Sequence, residues 1–382
     1  MLECVTDFVL TGGRLALPEG LVDDGWLAVA DGRISGIGTG TPPPGDQVEL
    51  SGALVVPGFI DTHCHGGGGG SFSSGESKEL LRAITAHRRH GTTTMLASLV
   101  SEPIRSLVNQ LAALRELVED GELAGVHLEG PFIAEARCGA HDPAVLLEPD
   151  PAAVDALLRA GHGAVRMVTV APELAGGVRA IRQLTESGVI AAIGHTDGTE
   201  EQIRPAIDAG ATVGTHLFNG MRPLHHREPG PIGALLDDER ITIELICDLV
   251  HVHPTVLRLA ATHAGRGRTV LITDAMSATD AADGRYHLGR LEVDVRDGVA
   301  TLADTGSLAG STLTMDVAFR NLVRGAGLSI PDAVRATSGR PAELLGIDDR
   351  TGSLQTGLAA DVVILDDDLR RTRVLRGGDW IS

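Results

Sequence analysis

Residues 55–65, VVPGFIDTHCH, carry the signal that decides the fold. An apolar run enters the stretch and two histidines close it. Their i, i+2 spacing sends the imidazoles of His63 and His65 to one face of a strand and Cys64 to the other. The histidines are therefore a usable metal pair, and Cys64 is expected to be a packed thiol. One such strand end is weak evidence, but the chain repeats the pattern.

Seven further apolar, β-rich runs follow: TTTMLASLV (92–100), LAGVHLEG (123–130), VRMVTVAPE (165–173), VIAAIGHTD (189–197), TVGTHLFNG (212–220), ITIELICDLVH (241–251) and TVLITDAMS (269–277). Segments with helical periodicity, such as KELLRAITAHRRH, IRSLVNQLAALRELVED, PAAVDALLRAG and GVRAIRQLTESG, separate most of them. Eight βα units with near-continuous apolar strands predict an α/β fold, a closed parallel (β/α)8 TIM barrel over residues 57–346, because such strands are covered on both faces. A doubly wound open sheet would gather its polar residues near one switch point. Here they stand at the ends of strands one, three, five, six, seven and eight, where a barrel makes them converge. Residues 1–56 and 347–382 alternate apolar runs with turn signals, as in FVLTGGRLALPEG and GSLQTGLAADVVILDDD. They predict a small β-sandwich domain formed from both chain ends.

Composition narrows the function. With 382 residues and 43% hydrophobic content the chain supports a large core, and its 49 glycines fall at turns and not in a low-complexity tract. A net charge of −19 excludes nonspecific binding to nucleic acid or to an anionic membrane, while leaving room for a small anion held by one or two placed cations. Cys4, Cys64, Cys138 and Cys247 form no CxxC motif. Together with the acidic start (Glu3, Asp7) and the lack of a long apolar window, this predicts a cytoplasmic protein. Cys138 is expected in an exposed loop.

Glu129 ends strand three, His195 strand five, His216 strand six and Asp274 strand eight. Imidazole and carboxylate in this mixture suit zinc or a similar divalent ion with a position left for water. The only lysine, Lys78, lies in a helical segment, so strand four has no lysine to bridge two metals and Glu129 is the evident bridging candidate. His87, His90, His162, His225, His226, His253, His263 and His287 fall in helical or loop segments and are expected at the surface or as caps. The Gly66–Gly70 run lacks a following GK[ST] and is expected to be a tight loop, not a phosphate-binding loop.

The motifs PGFIDTHCHG, HLEGPF, GHTDGT, THLFNGM, DLVHVHP and LITDAMSA, in this order between about Pro57 and Ser311, resemble the N-acetylglucosamine-6-phosphate deacetylases of the amidohydrolase superfamily. The resemblance implies a main metal site at Glu129, His195 and His216, with Asp274 as catalytic acid/base. Members with a histidine pair like His63 and His65 hold a second ion. The resemblance also implies a sugar-phosphate site lined by Ala140, His141, Asn219, Gly220, Arg227, His251, Leu308, Ala309 and Gly310, and a homodimer. Arg227 as a fixed cation and the Asn219–Gly220 backbone suit a phosphate. The rival is an amidohydrolase for another N-acyl compound, such as an N-acyl-amino acid. Retention of all six metal and acid/base candidates argues against a catalytically silent barrel.

Overall fold

The computed structural model describes residues 7–382, so Glu3 and Cys4 lie outside the described residues. Its central sheet runs in chain order through Phe59–Asp61, Thr92–Leu99, Gly125–Glu129, Val165–Val170, Ile190–Ile193, Val213–Gly214, Thr242–Ile246 and Thr269–Ile272. Every neighbouring pair is parallel. These are the eight predicted barrel strands, cut shorter than the apolar runs that announced them. The run 212–220 keeps only Val213–Gly214, because the residues after it turn into the site. Helices Ser77–Arg89, Ile104–Glu119, Pro151–Gly161 and Gly177–Glu186 lie within two residues of the predicted segments.

The barrel closes between its first and last strands just beyond their ends. Asp274 N–H donates to His63 O at 2.9 Å, and His65 N–H donates to Ala275 O at 2.7 Å. Below them the Thr273 hydroxyl donates to Asp61 at 2.6 Å. The closing seam therefore runs through three predicted site residues, and barrel closure and site assembly are the same event.

The decisive stretch 55–65 is not one strand. Leu54–Pro57 pairs antiparallel with Val362–Leu365 in a different, eight-stranded sheet, and only Phe59–Asp61 enters the barrel. The switch is at Gly58, whose N–H donates to Asp361 O at 2.8 Å. A Cβ there would stand 2.3 Å from Thr93 Oγ1 and 3.0 Å from Asp361 Cβ. Periodicity could not reveal this, because both halves of the run are buried. Gly58→Ala is expected to destabilise the fold by about 1–3 kcal/mol through this overlap, measured by urea unfolding, since space and not backbone angle is what forbids a side chain.

The second sheet joins both chain ends. Strands Phe8–Leu17, Gly20–Ala30, Arg33–Thr39, Asp46–Glu49 and Leu54–Pro57 combine with Val362–Leu365, Arg371–Arg376 and Asp379–Trp380. Phe8–Leu17 changes register around Gly12 and Gly13, and its two halves pair with different strands, Asp46–Glu49 and Leu54–Pro57. The sheet encloses its own core of Leu10, Leu15, Leu27, Val29, Ile34, Val55, Val362, Ile364 and Leu375.

An antiparallel three-stranded sheet, Gly284–Leu288, Leu291–Arg296 and Val299–Leu302, was not anticipated. It packs Leu288, Val293 and Ala309 with Val100 and Met276 over the C-terminal mouth of the barrel. Its strands are short and half exposed, so they resemble loop in sequence. No helix among the described residues is long and apolar enough to cross a membrane.

Candidate metal centre and substrate pocket

Four barrel strands deliver their functional groups in the same way. Strands one, five, six and eight end at Asp61, Ile193, Gly214 and Ile272, and His63, His195, His216 and Asp274 each follow two residues later. His195, His216 and Asp274 have φ of 47°, 28° and 51°. A left-handed backbone costs a non-glycine residue about 1–2 kcal/mol, and such strain collects where geometry serves function. It turns these three side chains inward over the barrel.

Glu129, buried at the end of strand three, is the hub. Its Oε1 lies 2.9 Å from His216 Nε2, 3.1 Å from His195 Nε2 and 3.4 Å from His63 Nε2. Its Oε2 lies 3.1 Å from His65 Nε2 and 3.3 Å from His141 Nε2. Asp274 Oδ1 is 3.1 Å from His65 Nε2 and 3.4 Å from His63 Nε2. Two groups of donor atoms close enough to share an ion have Glu129 in common: His63, His65, Glu129 and Asp274, and Glu129, His141 and His195; a third, Asp61, Cys64 and His87, lies apart from it.

Ring tautomers separate ligands from donors. His65 Nδ1–H donates to Ser98 O at 3.2 Å and His195 Nδ1–H donates to Arg137 O at 2.8 Å. In both rings Nε2 is left with a lone pair facing the centre, the arrangement that metal-binding histidines use. Nε2 of His195 and His216 are 3.0 Å apart, and those of His63 and His65 are 3.1 Å apart. Two unprotonated Nε2 atoms at that separation repel unless a cation stands between them, so this donor set fits a divalent metal. His141 is the exception. Its Nδ1 accepts the Ser101 N–H at 3.1 Å, so the proton sits on Nε2 and points toward Glu129 and the pocket. It is a hydrogen-bond donor and not a ligand.

Electrostatics agree. Burial alone would raise the Glu129 carboxyl, but the imidazoles packed around it, His63 foremost, hold it well below the usual range. Burial likewise opposes ionisation of Asp274, and the His63 and His65 imidazoles beside it bring it down to about 2. Burial lowers His141 to about 4 despite Glu129, which keeps it neutral.

A pocket opens from this centre, lined by His65, Glu129, Gly139, Ala140, His141, His195, His216, Asn219, Gly220, His251, Asp274, Leu288, Leu308 and Gly310. Most predicted substrate residues are therefore together. His251 lies in the loop after strand seven and pairs its Nδ1 with Asp248 Oδ2 at 2.6 Å. Three predicted residues do not line the pocket. His63 is fully buried beneath it, Ala309 is fully buried with its N–H donating to Ala300 O, and Arg227 lies exposed with Nη1 2.8 Å from His226 Nε2. The pocket of this chain holds no arginine or lysine.

Other expectations need correction. His87 is neither at the surface nor a cap. It is fully buried, 2.9 Å from Gly66 O and 3.2 Å from Cys64 Sγ, beneath the antiparallel Gly66–Ser71 hairpin. His253 does cap the helix Pro254–Ala264, and His162 ends Pro151–Gly161 at φ 47°. Cys64 does not line the pocket but is fully buried against His87, the packed thiol that its alternation with the two histidines predicts. Sequence inspection missed Asp61, His127 and Glu244, all fully buried around the ligands. Their signal was available: an ionisable residue inside an apolar strand has to be paired or used. The Arg137–Asp197–Arg222 ion pairs, at 2.8 and 3.2 Å, tie together the loops that carry Ala140, His195 and Gly220.

Known proteins show the same architecture. The model of the amidohydrolase family matches residues 54–381. An N-acetylgalactosamine-6-phosphate deacetylase of Escherichia coli O157:H7 is 40% identical over 379 residues, covering 98% of this chain and 99% of that one. An N-acetylglucosamine-6-phosphate deacetylase of Bacillus subtilis (strain 168) is 35% identical, covering 91% of this chain and 90% of its own. The solved N-acetyl-D-glucosamine-6-phosphate deacetylase of Mycobacterium smegmatis superposes with a TM-score of 0.95 at 47% identity, over 98% of this chain and all of that one. The chain is thus similar to these enzymes along nearly its whole length, and it belongs to the amidohydrolase family, among its N-acetylglucosamine-6-phosphate deacetylases.

Proposed function

We propose that this protein hydrolyses the acetamide of N-acetyl-D-glucosamine 6-phosphate, giving D-glucosamine 6-phosphate and acetate in amino-sugar catabolism and cell-wall recycling. The observation that carries this reading is the division of labour among the imidazoles: His195 and His65 turn lone pairs inward, while His141 presents an N–H beside them.

Glu129, His195 and His216 are the proposed holders of the main ion, zinc by donor type, and His63 with His65 of a second. Bound there, a divalent ion would lower the pKa of water and polarise the acetyl carbonyl. His141 Nε2–H donates to the carbonyl oxygen, where negative charge grows during attack. Asp274, ionised and facing the same space, accepts the water's proton and returns it to the departing amine. The Asn219–Gly220 backbone, His251 and the Leu308–Gly310 turn surround the sugar phosphate.

Arg227 does not reach the pocket of its own chain, so the phosphate cation is proposed to come from the corresponding loop of a second subunit in a cytoplasmic homodimer. The free thiols Cys64, Cys138 and Cys247 fit a reducing compartment. Arg227→Ala is expected to raise KM for the phosphorylated substrate about 10- to 100-fold, the worth of a charge-assisted hydrogen bond, with kcat changed only a few-fold. The unphosphorylated sugar should show no such change, in a steady-state assay of acetate release.

The absence of an own-chain cation from the pocket favours the second reading, an amidohydrolase for a neutral or different N-acyl compound. The deciding experiment measures acetate release from the amino sugar with and without its 6-phosphate, in the gluco and galacto series. A strong preference for the phosphorylated gluco form supports the proposal. Indifference to phosphate moves the assignment to the second reading, and preference for the galacto form changes the substrate within the first.

A further inference from the structure

Strand seven, Thr242–Ile246, contributes no ligand to either donor group, yet it carries a carboxylate in the middle of the barrel. Glu244 is fully buried. Its Oε1 accepts one hydrogen bond, from the Thr62 hydroxyl at 2.8 Å. Its Oε2 has no hydrogen-bond partner among the described residues. The same is true of Nδ1 of fully buried His63, and the two atoms lie 3.6 Å apart. A buried carboxylate with one hydrogen bond is costly unless positive charge or further donors offset it. Among the described residues no arginine or lysine pairs with Glu244; the imidazole of His63 is the single positively chargeable group beside it.

We propose that Glu244 is the positioning residue that makes His63 a metal ligand, and through it the residue on which the second ion depends. This rests on the two-ion reading above and assigns a residue to it. His63 has no carbonyl against its Nδ1, unlike His65 on Ser98 and His195 on Arg137. Glu244 supplies the missing acceptor. An approach of roughly half an ångström brings the pair to ordinary hydrogen-bond length. The Nδ1 proton is then fixed toward Glu244, and Nε2 keeps its lone pair toward His65, Glu129 and Asp274. The Thr62 hydroxyl holds the far oxygen, so the carboxylate cannot rotate away. The negative charge of Glu244, carried through the imidazole, strengthens His63 as a donor and offsets positive charge bound at the His63–His65 side. Among the described residues the Glu244 carboxylate makes no hydrogen bond or ion pair with Glu129, His195 or His216, so the main group does not depend on it.

The test is zinc binding to metal-stripped protein, by equilibrium dialysis against a competing chelator, in the wild type, Glu244→Gln and Glu244→Asp. The wild type is expected to bind two ions. Glu244→Gln should bind the first with unchanged affinity and the second about 10- to 100-fold more weakly, the usual effect of removing a carboxylate behind a ligating histidine. Glu244→Asp, which keeps the charge at shorter reach, should fall between them. Native affinity for both ions in Glu244→Gln, or equal weakening of both, overturns the proposal while leaving the two-ion reading standing. A wild type that binds a single ion overturns both. Should Glu244→Gln fail to give a cooperative melt, Glu244→Asp alone decides: unchanged second-ion affinity refutes the role. A purely structural glutamate would lower the melting temperature without separating the two affinities.

Discussion

Replacing Asp274 by Asn is expected to lower kcat by about 10²- to 10⁴-fold with little change in KM, while the ion at Glu129, His195 and His216 stays bound. The asparagine keeps the shape and the site on strand eight but cannot accept the proton of the attacking water. Asp274 is suited to that task because it is held ionised: the His63 and His65 imidazoles outweigh its burial and place it at about 2. An ion held by the same nitrogens contributes charge of the same sign, so the carboxylate remains ionised when loaded. Steady-state kinetics together with metal content by mass spectrometry check this. Near-normal turnover in a metal-replete variant would remove Asp274 from the chemistry.

Glu129→Gln should fail differently. Glu129 approaches the Nε2 atoms of His63, His65, His141, His195 and His216 within 3.4 Å, so both donor groups lose their shared anion at once. Metal affinity is expected to fall by more than roughly 10²-fold, the upper effect of losing an outer partner, since here the ligand itself is lost. Activity should fall with it. A bound ion stabilises the folded state by mass action, so added zinc should raise the melting temperature of the wild type and not of this variant. Metal content then separates the two substitutions: Asp274→Asn is inactive with the main ion present, and Glu129→Gln is inactive because the ions are missing. A Glu129→Gln protein with full metal content would contradict its place as hub.

Much of this was legible in the sequence. The barrel followed from eight apolar runs, and the ligands from the residues that close them. The local device is simple: two residues past the strand end, a side chain turns over the mouth, as at His63, His195, His216 and Asp274. What escaped inspection depended on contacts between distant segments. Gly58 passes the chain from one sheet to another inside an unbroken apolar run, and only the overlap with Thr93 and Asp361 explains why glycine stands there. Residues 284–302 look like loop, yet they cover the pocket through Leu288. Arg227 carries the right charge, but its loop leads away from the pocket of its own chain. His87 resembles a helix-surface histidine and is buried because the glycine hairpin folds onto it.

By itself the sequence determined the architecture and the set of candidate groups, since both follow from periodicity and residue type, which are local. Only the tertiary structure decided how each histidine is oriented and what it meets. Which ring nitrogen carries the proton follows from what meets Nδ1, and for His65, His195 and His141 those partners, Ser98 O, Arg137 O and Ser101 N–H, come from other strands and loops. The first stretch, residues 55–65, shows the division in small. Its residues announced a strand ending in two metal-capable side chains, while the packed barrel set one at the pocket wall and the other beneath it against a buried carboxylate.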